Sequence, residues 1–163
     1  MVTEFTEATE FTEPQTIETL AAPQVDEMQE KRMAAFQQVL TALLHDHVLP
    51  DGGIDWMDDS FGKMEENTFA VADVDGDEKE ELIVNFTTAP VAGMQCSVYR
   101  YDEETGSLES ELNIFPAVEF FTGGLAKANC SHNQGLAGNV MWPYNLLGFN
   151  PVTRRYEDIC NVD

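Results

Sequence analysis

The sequence predicts an α+β fold: an N-terminal amphipathic helix packed on an antiparallel β-meander, preceded by a disordered acidic tail. Three observations predict it. Apolar residues recur at helical spacing over residues 25–44, several later segments read as strand, turn, strand, and residues 1–22 are rich in Thr and Glu with no basic residue before Lys31. We therefore divide the chain into a tether over residues 1–22 and one domain over residues 23–163.

The tail repeats Thr-Glu-Phe-Thr-Glu at residues 3–7 and 9–13. A stretch of one charge sign and little apolar content cannot bury enough surface to offset its ordering entropy, so disorder is expected. It reads either as a tether lifting the domain off a cell surface or as a plain terminus. Across the chain, 8 Lys and Arg stand against 30 Asp and Glu, a net charge of -22. That balance argues against nucleic acid or an anionic membrane as partner. No apolar run reaches the length of a membrane-spanning helix and no signal peptide is visible, so a targeting segment, if there is one, lies outside these residues.

In the helical segment, Met33, Phe36, Leu40, Leu43 and Leu44 form the expected core-facing stripe. The helix should start after Pro23, with Asp26 and Glu27 in its first turn, and stop at the Pro-Asp-Gly-Gly run of residues 50–53. His45 and His47 are two apart, which suits a helix C-terminus better than a metal pair.

Residues 69–86 carry the sharpest chemistry. Asp73, Asp75, Asp77 and Glu81 occupy positions 1, 3, 5 and 9 of an acidic loop between two apolar runs, and Lys79 at position 7 would offer its carbonyl. Ca²⁺ takes six to eight oxygens, and such alternation aims several at one point. An EF-hand is excluded, because that loop needs Gly at position 6 and Glu at position 12, where Glu78 and Val84 stand. The competing reading is a solvated acidic turn. The loop resembles the Asp-x-Asp-x-Asp-Gly-x-x-Asp calcium hairpins of the FG-GAP and VCBS repeat families, in which position 9 closes the site and a strand follows. Even there Gly is usual at position 6, so Glu78 implies strain.

Two later hairpins are expected: residues 96–101 returning over 108–114, and residues 145–149 returning over 155–159. Aligning Tyr101-Asp102 with Phe149-Asn150 makes the second an echo of the first. Cys96, Cys130 and Cys160 match no zinc spacing; they read as buried free thiols, with a Cys130–Cys160 bridge as the alternative.

Between the hairpins, Ser131, His132, Asn133 and Gln134 form a polar cluster ahead of Trp142 and Tyr144. His132, Asn133, Gln134, Trp142 and Tyr144 are candidate ligand-binding residues for a glycan or peptide; the competing reading is a Gly-rich turn bonding its own backbone. Cys130 and His132 do not suggest a catalytic dyad, and no Gly-x-Ser-x-Gly motif is present. In the order of its motifs, an Asp-x-Asp-Gly-Asp hairpin, a Tyr-Asp hairpin, Ser-His-Asn-Gln-Gly and Trp-Pro-Tyr, the chain resembles a group of secreted proteins and lipoproteins of gut Clostridia. The resemblance covers roughly residues 49–163 and implies a location, extracellular or at the bacterial cell surface, rather than an activity. Members of that group continue past the equivalent of Asp163. The expectation is a non-catalytic interaction or adhesion module with structural Ca²⁺, acting on an extracellular protein or glycan. The alternative is a secreted hydrolase or accessory domain with its site around His132, Trp142 and Tyr144.

Overall fold

The computed structural model describes residues 26–48, 50, 62–88, 94–115, 118–129 and 143–162. The expected tail lies outside them, as do Cys130, His132, Asn133, Gln134 and Trp142. Helix α1 spans Glu27–Asp46, and a 3-10 turn spans Met64–Glu66. Eight strands follow: β1 Thr68–Ala72, β2 Glu81–Phe86, β3 Gln95–Asp102, β4 Ser107–Ile114, β5 Val118–Phe121, β6 Leu125–Asn129, β7 Tyr144–Asn150 and β8 Arg155–Val162.

A mixed α+β architecture holds, but the single meander does not. The strands form two antiparallel four-stranded sheets, ordered β1-β2-β3-β4 and β5-β6-β7-β8. Pro116 lies between β4 and β5 in sequence, and proline cannot donate to a central ladder. The three expected hairpins are the β1–β2, β3–β4 and β7–β8 pairs. The echo between the last two extends to their turns: Asp102 accepts from the backbone of Glu104 and Thr105, and Asn150 from that of Val152 and Thr153.

The first sheet has two covered faces. Leu82, Val84, Phe86 and Tyr99 pack with Phe36 and Leu43 of α1, while Ile83, Cys96, Val98 and Leu112 pack with Ala126, Ala128, Leu147 and Tyr156 of the second sheet. Strand alternation sends neighbouring residues to opposite cores, which is why β2 is a nearly continuous apolar run.

The expected N-terminal amphipathic helix is corrected. Residues 1–26 precede α1, and its faces are not cleanly divided: buried positions are Arg32, Phe36 and Leu43, whereas Leu44 of the expected stripe is 38% exposed. Arg32 is buried because Glu80 accepts an ion pair from it, which offsets the cost of withdrawing the guanidinium from water. The helix also stops before residue 50. His47 adopts the left-handed conformation at φ 55°, and the Val48 N–H returns to the Ala42 carbonyl at 3.4 Å. Of the cysteines, Cys96 is buried, and burial pushes its thiol up to about 11. Cys160 is exposed, contrary to expectation.

Strands β3 and β4 lose register between Val98 and Tyr99, where Val98 faces Leu112 but Tyr99 faces Ser110. Glu111 is the extra residue of this β-bulge. The bulge reverses the facing of β4, so Leu108 joins the helix-side core while Leu112 and Ile114 join the core between the sheets. The β7–β8 pair has its own register shift, leaving Ile159 unpaired between Asp158 and Cys160.

Candidate metal centre

The acidic loop joins β1 to β2 at the edge where the second sheet packs. Its shape comes from its own aspartates, each accepting backbone N–H groups two to five residues on. Asp73 accepts from Gly76 at 2.7 Å and Glu78 at 3.1 Å, Asp75 from Asp77 at 2.9 Å, and Asp77 from Lys79 at 2.8 Å. Glu81, the first residue of β2 and 1% exposed, reaches back to accept from the Val74 N–H at 2.9 Å.

These bonds bring one oxygen each of Asp73, Asp75 and Glu81 within 4.8 Å of one another. Oxygens about 2.3–2.6 Å from a shared Ca²⁺ lie at most about 5 Å apart, so this donor set fits that ion. Asp77 is outside that convergent group, although it borders the same cavity, of about 320 Å³. Lys79 turns its side chain outward to Glu103 at 2.7 Å, as position 7 requires. Glu78 sits at φ 69°, in the region expected at position 6. Left-handed backbone costs a non-glycine residue roughly 1–2 kcal/mol. Glu78→Gly should therefore raise the melting temperature by about 2–8 °C. An unchanged or lower melting point would show that position 6 carries no strain.

Burial and mutual repulsion raise the acids of this loop. Burial, then the charges of Asp75, Asp77 and Asp73, push the Glu81 carboxyl up to about 8 despite its bond from Val74. Asp75 is also raised, mainly by burial.

The loop is tied to all three layers. The Tyr156 hydroxyl of β8 donates to the Val74 carbonyl at 2.5 Å, with the Tyr156 ring held edge-on by Phe120 and Phe149. Gly124, in the β5–β6 turn, lies against the Asp75 carbonyl. On the other side Glu80 accepts from Arg32 and from Gln29 of α1.

Sequence reasoning missed Glu111, which lines the same cavity. It is 3% exposed, and neither carboxylate oxygen has a hydrogen-bond partner. Its nearest ion-pair contact is Arg100 Nε at 3.8 Å, and that guanidinium is already bonded to Glu109 through Nη2. Burial, then the charges of Glu81 and Asp75, push Glu111 up to about 8. Of the second candidate cluster only Tyr144 is described. It opens β7, with Lys127 Nζ 5.2 Å from its ring centre. No protein-family model matches the chain, and no curated protein or solved structure is detectably similar to it.

Proposed function

We propose that the protein is an extracellular, surface-tethered, non-catalytic interaction or adhesion module in which Asp73, Asp75, Asp77, the Lys79 carbonyl and Glu81 hold a structural Ca²⁺. The convergence of the Asp73, Asp75 and Glu81 oxygens carries this reading. The loop's position supports a structural role for the ion, since the same nine residues touch the helix and both sheets. Strong acidity, the order of the motifs and the Thr/Glu-rich tail support the extracellular, tethered setting. Among the described residues no helix is long and apolar enough to cross a membrane.

Calcium loops of extracellular modules bind at about 10⁻⁴–10⁻³ M. At ~1 mM Ca²⁺ and a Kd of ~0.1 mM, occupancy adds about 1.4 kcal/mol. Chelation should then lower the melting temperature by roughly 3–6 °C. Calorimetric titration of wild type and Asp75→Ala tests the ion itself: wild type should release heat that the variant does not. Equal heats from both would remove the metal from the proposal.

A further inference from the structure

Glu111 is a charged side chain, itself 0% exposed, placed in a cavity with Asp75, Asp77 and Glu81 and without a hydrogen bond on either oxygen. A buried carboxylate in that state is costly, and natural folds remove or satisfy such groups unless they serve something. The bulge does not demand an acid. Extending the hairpin echo from Tyr101 and Phe149 places Glu111 opposite Ile159, and the corresponding bulge of β8 carries that isoleucine. Glu111 lies on the face of the first sheet that the second sheet covers, as ordinary alternation from Glu109 requires, and the bulge sets Leu112 beside it on that face.

We propose that Glu111, which lines the cavity but like Asp77 stands outside the group of oxygens within 4.8 Å of one another, is drawn in from β4 as a further ligand when the loop cation binds, so that the site gathers oxygens from two separate hairpins. This rests on the calcium reading above. It makes the site more anionic than a single-loop site, and affinity in oxygen-donor sites rises with ligand charge. Strand β4 also borders β8, whose Tyr156 holds Val74 of the loop.

The test is Ca²⁺ titration by calorimetry at pH 7.5 on wild type, Glu111→Gln, Asp75→Ala and the exposed charge control Glu119→Gln. Glu111→Gln should weaken binding about 10–100-fold, the range for losing a group that supports a metal site, while Glu119→Gln stays within about twofold of wild type. Melting in EDTA accompanies the titration. The amide resembles the protonated carboxyl in shape and, unlike it, gains nothing by ionising in the unfolded chain, so Glu111→Gln should melt at or above wild type there. Weakened binding with an intact melt supports the assignment. Wild-type affinity in Glu111→Gln, with binding lost in Asp75→Ala, overturns the role of Glu111 and leaves the loop site standing. A melt well below wild type in EDTA also overturns it, because Glu111 would then be structural. Absence of heat from wild type itself overturns both readings.

Discussion

Raising the pH from about 5 to about 8 in EDTA should lower the melting temperature, and millimolar Ca²⁺ should remove most of that loss. The cause is two buried carboxyls, Glu81 and Glu111, both pushed from an ordinary 4.5 to about 8. Between those values the folded protein keeps protons that the unfolded chain has released. Its extra stability is therefore fully present below about 4.5 and is lost as pH rises through about 8. Asp73, Asp75 and Asp77 face the pair and add to the repulsion, Arg100 opposes it, and Tyr156 stays neutral because its own hydroxyl is raised. Asp102 and Glu157 are lowered, so they titrate below this window.

The two carboxyls interact and titrate as a pair, so we assign them jointly roughly 3–5 kcal/mol. This corresponds to a fall on the order of 10 °C. A bound cation requires the deprotonated forms, so the calcium-dependent gain in melting temperature should grow from pH 5 to pH 8. Scanning calorimetry across that range, with and without Ca²⁺, measures both slopes. A melting point that stays flat or rises in EDTA would show that these acids do not retain their protons in the folded protein.

The second large effect is expected from Gly124→Ala. Gly124 has φ +72°, and a Cβ there would meet the Asp75 carbonyl oxygen at 2.7 Å and Phe149 Cβ at 3.0 Å. Backbone strain and the collision together should cost about 2–4 kcal/mol, lowering the melting temperature by roughly 5–15 °C. Gly123 provides the matched comparison: its φ is +82°, yet a Cβ there meets nothing within 4 Å. Gly123→Ala should therefore show the backbone strain alone, about 1–2 kcal/mol. Gly124→Ala should also weaken calcium binding, because Asp75 must move. Equal melting points for the two variants would mean that the turn does not seat the loop.

Much of the first sheet was legible because its signals are local. The alternation of carboxylates over residues 73–81, flanked by Val71 and by Leu82, Ile83 and Val84, identifies the hairpin and the loop in which Asp73, Asp75 and Glu81 converge. The β5–β6 hairpin was not legible. It is short, and its buried residues are Ala126 and Ala128, whose small side chains suit a close approach between sheets but leave almost no hydropathy alternation. Glu111 was hidden for a different reason. Residues 108–112 read Leu-Glu-Ser-Glu-Leu, which suggests one apolar face and one solvated face, whereas the face that carries Glu111 is covered by the second sheet and borders the acidic loop's cavity. Arg32 sits among polar helix residues, and nothing near it in sequence announces that Glu80 will cover it. Local pattern reports pairing within a hairpin; it carries little information about which distant element closes over a given side chain.

Glu80 and Glu81 are adjacent, yet one meets the helix and the other closes the acid cluster, as the two-residue repeat of a strand requires. This fixes the spacer between β1 and β2 to the residue. Pairing with β3 and the two cores hold β2 in place, so deleting or inserting a single amino acid between Asp73 and Glu80 would leave Glu80 on Arg32 and shift Asp73 and its neighbours out of step with Glu81. The length of this segment is thus as much a part of its chemistry as the acids it contains.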